Sequence, residues 1–170
     1  PSRATVLDGF ESTAGWTSVA DAAGSTVTVA AVAGDSGNAL QMDYTLALGN
    51  YAGIYNDTFG FLNLNTLGAN AVRFSYRAGS LPNTIQIQLA DSDFPDPGQS
   101  TKKVYTFIAS ADNAWHTLIV PLSQFATWTD TGLGGETNSA VFDTSKVSHL
   151  SFGVTKDNGS AGTGTVYFDA

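Results

Sequence analysis

The sequence predicts an all-β domain, and specifically a jelly-roll β-sandwich of two antiparallel sheets. Eight segments alternate polar and apolar residues with a period of two, as expected for strands with one buried side. Turn-forming residues separate these segments, and the low charged fraction of 13% is typical of a β-sandwich rather than a helical bundle. The predicted strands cover residues 26–32, 39–46, 71–77, 84–89, 103–108, 116–121, 147–154 and 165–169. The only helical turn expected lies at 123–125, after Pro121.

We expect a single domain over residues 1–170. A chain of 170 residues that is 42% hydrophobic is long enough to enclose one core. No repeat or linker is visible, and no apolar run approaches the roughly 18 residues needed to span a bilayer. No signal peptide precedes Pro1, which predicts a mature, excised module, while the absence of cysteine leaves the cellular compartment open.

The net charge of −8 argues against nucleic acid, anionic lipid or polyanionic glycans as partners, because each would be repelled. Lys102 and Lys103 form the only adjacent basic pair in the sequence. Without a larger basic patch to compensate for this repulsion, an anionic partner is not expected.

The two ends of the chain each carry a carboxylate beside an apolar, β-patterned run, Glu11 near the start and Asp169 near the end. If the terminal strands lie side by side, the two carboxylates converge. Together with Asp35 and backbone oxygens of the turn at 34–38, they would make an oxygen-rich site suited to calcium. The alternative is two unrelated surface acids.

Six fragments stand out along the chain: VLDGFE (6–11), GDSGNALQMDY (34–44), NYAGIY (50–55), WHTLIVPLSQF (115–125), VSHLSF (147–152) and VYFD (166–169). Their order and spacing resemble those of family 11 carbohydrate-binding modules over nearly the whole chain. The resemblance implies a calcium-stabilised jelly roll that binds single β-glucan chains, β-1,4 or mixed-linkage β-1,3-1,4, in a groove on its concave face. It also implies a secreted, monomeric module tethered to a glycoside hydrolase.

The resemblance assigns the groove to particular residues. Tyr51 is expected to stack on a sugar ring, although it could also face the core, and Tyr55 could belong to either. Asp96 and Asp130 are expected to accept hydrogen bonds from sugar hydroxyls, and Trp128 to supply a second stacking ring. For Asp96, a solvated loop or a second calcium site is the alternative. Trp16 and Trp115 follow turn signals and are predicted to be core residues.

The chain also departs from the family pattern. Val154 and Thr131 stand where that pattern has aromatic residues, and the arginine of the same loop has no counterpart. We therefore expect a shifted or shortened groove.

Catalysis is not expected. Glycosidases need two carboxylates across a cleft, but the chain has only two glutamates, Glu11, assigned to the metal, and the isolated Glu136, and it lacks the close-set acidic strand motif of sandwich glucanases. Neither His116 nor His149 has a serine and aspartate partner in a readable motif, and both are interpreted as structural. The alternative function is a protein-interaction or assembly domain on the same scaffold. Exposed aromatic rings along one face would favour glycan, whereas a flat apolar patch would favour a protein partner.

Overall fold

The computed structural model describes residues 5–21, 24–47, 51–79, 84–91, 102–127, 142–155 and 162–170. Within these residues the chain forms two sheets in which every neighbouring pair of strands is antiparallel. The strands are β1 (Trp16–Ala20), β2 (Thr26–Ala33), β3 (Asn38–Leu46), β4 (Tyr51–Asn56), β5 (Ala71–Ala78), β6 (Thr84–Asp91), β7 (Lys102–Ile108), β8 (His116–Pro121), β9 (Ala126–Thr127), β10 (Val147–Thr155) and β11 (Gly162–Asp169).

One sheet has six strands in the order β1-β4-β10-β6-β7-β9, and the other has five in the order β2-β3-β11-β5-β8. The predicted all-β sandwich is confirmed, and all eight predicted segments lie in strands. Strands β1, β4 and β9 lie outside the eight predicted segments. In addition to a 3-10 helix at Leu122–Gln124, one residue before the predicted turn, a helical turn α1 forms at Leu64–Leu67. No helix in the described ranges is long and apolar enough to cross a membrane.

The core lies between the two sheets and is built from the alternating inward positions of their strands. Phe152 of β10 meets Phe168 of β11 with ring centroids 4.5 Å apart, which joins the six-stranded sheet to the five-stranded one. Phe74 of β5 contacts the ring of Phe152 edge to face, with centroids 5.4 Å apart. Because these rings are fully buried, their removal from water is a main driving force for closing the sandwich.

The N-terminal segment is not a strand, contrary to the expectation of a β-patterned end beside the last strand. Phe10 adopts a left-handed φ of 57°, and its N–H donates to Oδ1 of Asp8 at 2.7 Å. Oδ2 of Asp8 accepts from Nε1 of Trp16 at 2.9 Å and from Nδ2 of Asn56 at 3.1 Å. Phe10 and Trp16 are buried and stacked at 5.6 Å, so the prediction that Trp16 belongs to the core is confirmed.

Candidate functional site

The outer face of the six-stranded sheet is the side turned away from the core, and its composition is set by the strand register. On β4 and β10 the inward positions include Ile54 and Phe152, both fully buried, so the alternate residues point outward. Three rows of paired residues cross this face: Thr17, Tyr55, Ser151, Gln88 and Val104; Val19, Gly53, Gly153, Gln86 and Thr106; and Tyr51, Thr155, Thr84 and Ile108.

Tyr51 lies flat on this face over a pair of glycines. Gly53 and Gly153 are cross-strand neighbours, and a Cβ added to either would overlap the tyrosine side chain. Its Oη is 2.6 Å from the position a Gly53 Cβ would take and 2.5 Å from that of Gly153. Real Cβ atoms do not approach so closely, so two missing side chains create the recess that the ring fills.

The position of Tyr51 is also fixed through its backbone. Its N–H donates to Oδ2 of Asp21 at 3.0 Å, and its carbonyl accepts from the N–H of Asp21 at 3.1 Å. Ser25 donates to the same carboxylate oxygen at 3.0 Å. Burial raises the pKa of Tyr51 to about 12, so the hydroxyl stays protonated and remains a hydrogen-bond donor at neutral pH.

Tyr55 stands four residues further along β4 on the same face, about 13 Å away by strand geometry. It is half-buried, and its ring stacks on His149 with centroids 5.3 Å apart and an interplanar angle of 27°. The sequence left Tyr55 open between core and groove, and the structure places it on the outer face. Burial lowers the pKa of His149 to about 4, with a smaller contribution from nearby Lys102, so its ring is neutral at pH 7.

The floor between the tyrosines is polar although it is buried. Thr84, Gln86 and Ser151 are each less than 8% exposed, and Nε2 of Gln88 donates to Oε1 of Gln86 at 2.6 Å. Amides and hydroxyls offer both donors and acceptors without charge. The face therefore combines aromatic rings with neutral hydrogen-bonding groups, a chemistry that fits an uncharged, hydroxyl-rich ligand better than an apolar protein surface.

Three of the predicted groove residues, Asp96, Trp128 and Asp130, lie outside the described residues, as does Thr131. In sequence they fall between β6 and β7 and between β9 and β10, which are all strands of the six-stranded sheet. The flanking strand ends, at Asp91, Lys102, Thr127 and Val147, meet at one end of that sheet, the end on which His149 and Tyr55 lie rather than Tyr51.

Val154 is not a groove position. It is fully buried in the core, opposite Ile85 and Ala52 on the inward side of the sheet. The expectation that the loss of an aromatic residue there shortens the groove is therefore wrong, because its neighbours Gly153 and Thr155 are the outward residues of this strand segment.

Two of the acids predicted to hold calcium, Glu11 and Asp169, each accept hydrogen bonds from the backbone of the turn at 34–38, which includes the third, Asp35. Oδ2 of Asp169 accepts from the N–H groups of Asp35 at 2.8 Å and Ser36 at 3.1 Å, and Oε2 of Glu11 accepts from the N–H of Asn38 at 3.0 Å. The described residues contain no group of three or more His, Cys, Asp or Glu suited to a metal. A calcium ion here would use the lone pairs these hydrogen bonds leave free, and backbone carbonyls would have to complete its six to eight oxygen ligands.

Trp115 is not a core residue, which corrects the prediction. It comes one position before β8, just beyond the pair formed by Tyr76 and His116, and therefore points to the outer side of the five-stranded sheet. There it is half-exposed and packs against Arg77, whose Cζ lies 5.2 Å from the indole centroid. Little in the sequence signalled this orientation, because Leu118, Ile119 and Val120 are all apolar and only the structure shows Ile119 exposed and Val120 buried.

The family model described as carbohydrate binding domain (family 11) matches residues 1–169. The chain therefore belongs to family 11 of the carbohydrate-binding domains, and the resemblance noted in the sequence is confirmed. Comparison with curated proteins gave no significant match.

Solved structures of the same type share the fold. A family 11 carbohydrate-binding module from Clostridium thermocellum, in complex with a β-1,3-1,4-mixed-linked tetrasaccharide, is 22% identical with a TM-score of 0.71, over 96% of this chain and 90% of that one. The family 11 module of cellulosomal cellulase Lic26A-Cel5E from Clostridium thermocellum is also 22% identical, with a TM-score of 0.72 over 97% and 90%. The family 30 module of cellulosomal cellulase Cel9D-Cel44B from Clostridium thermocellum is more distant, 16% identical with a TM-score of 0.59 over 84% and 79%.

Proposed function

We propose that this protein is a non-catalytic carbohydrate-binding module that binds a single β-glucan chain, β-1,4 or mixed-linkage β-1,3-1,4, along the outer face of the six-stranded sheet. The observation that carries the proposal is the ring of Tyr51, seated on Gly53 and Gly153 beside a polar, uncharged floor. Membership of family 11 and the mixed-linked tetrasaccharide held by a similar structure support the same ligand class.

Binding follows from the chemistry of a glucan chain. A glucose ring has an apolar face that packs against an aromatic ring, so Tyr51 and Tyr55 would each hold one sugar along the direction of β4. The half-buried amide of Gln88, held by its hydrogen bond to Gln86, would exchange hydrogen bonds with the sugar hydroxyls between the two rings. Asp96, Trp128 and Asp130 would extend the groove at the end where their flanking strands converge.

The same face gives no support to a glycosidase. Its outward residues on β4, β6, β10 and β7 include no aspartate or glutamate in the rows described above, whereas hydrolysis needs two carboxyl groups across the scissile bond. Glu11 is held at the turn of residues 34–38, away from this face. In keeping with the family resemblance, we propose that the module keeps a tethered glycoside hydrolase on plant polysaccharide and is a secreted monomer.

Calcium is the second part of the proposal. Glu11 and Asp169 would hold one ion with oxygens of the turn at 34–38, including Asp35, at the edge of the five-stranded sheet and remote from the sugar. When bound, the ion would fasten the N-terminal segment to the last strand. Its role would be stability rather than ligand contact.

Affinity electrophoresis over neutral polysaccharides tests the proposed ligand. Cellulose derivatives and lichenan should retard the protein, while xylan and mannan should retard it much less, and added salt should change the result little because the ligand is uncharged. A noncognate protein of similar charge serves as the control. Unretarded migration in every β-glucan gel would contradict the proposal.

A further inference from the structure

The opposite side of the sandwich carries a second ordered polar surface. On the outer face of the five-stranded sheet, β2, β3 and β11 lie side by side, and their register aligns two rows. The rows are Thr26, Thr45 and Thr163, and Thr28, Asp43 and Thr165, here called the threonine patch. Buried Met42 and Val166 point inward on the same strands, which fixes the patch on the side facing solvent.

The threonine patch lines a shallow depression of about 360 Å³. Apart from Asp43 and the buried Tyr44, the side chains that line it in the described part of the chain are threonines, and none is basic. A volume of this size accommodates one or two sugar rings. The lining excludes an anionic ligand, which would find no cation, and a purely apolar one, which would leave the hydroxyls unpaired.

The one carboxylate of the threonine patch, that of Asp43, already accepts two hydrogen bonds within the protein. Oδ2 of Asp43 accepts from Nε2 of Gln41 at 2.7 Å, and Oδ1 accepts from Oγ1 of Thr165 at 2.5 Å. These bonds fix the carboxylate, the amide and one hydroxyl in place before any ligand arrives. Preorganised polar groups lose little entropy on binding, which is what weak hydroxyl contacts need to yield measurable affinity.

An immobilised aromatic ring borders the threonine patch. Tyr167 lies two residues from Thr165 on the same face of β11, between Gln41 of β3 and Arg77 of β5. Cζ of Arg77 sits 4.0 Å from its ring centroid, and Trp115 packs edge to face on it at 6.3 Å. The guanidinium of Arg77 therefore packs on both rings and helps to hold the ring of Tyr167 in place.

We propose that the threonine patch and Tyr167 form a second saccharide site, which takes a short neutral oligosaccharide on the face opposite Tyr51. The hydroxyls of the patch would exchange hydrogen bonds with sugar hydroxyls, and the held ring of Tyr167 would pack against one sugar face. This site stands independently of the glucan site proposed above, because no residue is shared between the two faces.

Titration followed by the methyl resonances of the patch threonines tests this second site. The probes are cellotetraose, xylotetraose and mannotetraose, raised to concentrations on the order of 10 mM, where even a millimolar Kd gives saturation. At least one should produce saturable shifts at Thr45 and Thr163. The shifts should persist in Tyr51→Ala, which removes the ring of the other face.

A double variant, Thr45→Val with Thr163→Val, keeps the shape and strand preference of both side chains and removes their hydroxyls. Loss of these hydrogen bonds should weaken sugar binding at the patch about fivefold or more. The affinity is measured through the resonances of Thr26 and Thr28, which the variant keeps. Thr117→Val, on the same sheet outside the patch, should leave it unchanged. Absence of saturable patch shifts with all three sugars, equal shifts with glycerol, or loss of the shifts in Tyr51→Ala would overturn the proposal.

Discussion

The ring of Tyr51 occupies the space that a side chain on Gly153 would need. Its Oη lies 2.5 Å from the position of a Gly153 Cβ, a separation that bonded neighbours show but packed atoms do not. The pairing of Gly153 with Gly53 makes the recess wide enough for the whole ring. The orientation of the proposed sugar platform therefore depends on two residues that contribute no side chain.

Gly153→Ala should displace the ring of Tyr51 and weaken β-glucan binding. The added methyl group cannot coexist with the ring in its present position, so the platform tilts, and we expect a loss of about 1 kcal/mol of binding free energy. Calorimetric titration measures the affinity. Gly79→Ala is the matched control, because its Cβ would meet only the carbonyl oxygen of Thr165 at 3.9 Å. Unchanged affinity in Gly153→Ala would show that the ring position is not important for binding.

Asp8 should be a stability residue of the N-terminal segment. Its carboxylate accepts hydrogen bonds from the backbone of Phe10 and from the side chains of Trp16 and Asn56, and Asp8→Ala leaves these donors without that acceptor. We expect a loss of about 1 to 3 kcal/mol in the free energy of unfolding, measured by urea denaturation. The exposed Asp57→Ala should change it by less than about 0.5 kcal/mol. Equal stability of the two variants would refute this role.

His149 should make the protein less stable in acid. Its pKa is lowered to about 4 in the fold by burial, against an ordinary value of 6.5 in the unfolded chain. Above pH 6.5 both states are neutral and the histidine has no effect. Between pH 6.5 and 4 only the unfolded state takes up the proton, so the free energy of unfolding falls with pH, by roughly 3 kcal/mol in total, and levels off below 4.

The titration of the His149 ring, followed by its carbon-bound proton resonances, checks this directly. An inflection well below pH 6 is expected, and His149→Gln should flatten the part of the stability profile between pH 6.5 and 4. An inflection near pH 6.5 would mean that the ring is solvated rather than buried beside Tyr55.

Asp169 should stabilise the fold whether or not calcium binds. Asp169→Asn replaces one acceptor oxygen by an NH₂ group that faces backbone N–H donors. We expect the free energy of unfolding to fall by about 1 to 3 kcal/mol. In the unmodified protein, chelation of calcium should lower the melting temperature. An ion that binds only the folded state stabilises it by the free energy of binding, and chelation removes that contribution. If chelator leaves the melting curve unmoved and elemental analysis finds no metal, the calcium proposal is wrong while the hydrogen bonds remain.

Most of the fold was predictable because most of its strands alternate polar and apolar residues. β3 and β10 have inward residues that are apolar at nearly every second position, so their period of two is clear in the sequence. β4 was missed because Gly53 interrupts its pattern, and a glycine within a strand lowers its apparent strand preference. That glycine was nevertheless a signal, since it often marks a close approach by another group.

The candidate site was less predictable because it depends on pairing between distant segments. Tyr51 was recognisable from the family resemblance, but its seat on Gly153 requires the register of β4 against β10, about 100 residues apart in sequence. The same holds for Val154, whose inward direction follows from that register. Gln86 and Gln88 escaped notice because alternating glutamines in a strand read as ordinary solvent-facing residues until the buried position of Gln86 is known.

Calorimetric titration of a soluble mixed-linkage β-glucan oligosaccharide against Tyr51→Ala and Tyr51→Phe tests the central claim most directly. Tyr51→Ala removes the ring and should weaken binding by about 1 to 3 kcal/mol, roughly 5-fold to 150-fold, whereas Tyr51→Phe keeps the ring and should stay close to the unmodified protein. Melting curves confirm that both variants fold. Unchanged affinity in folded Tyr51→Ala would contradict the account and move the glucan site away from the glycine pair.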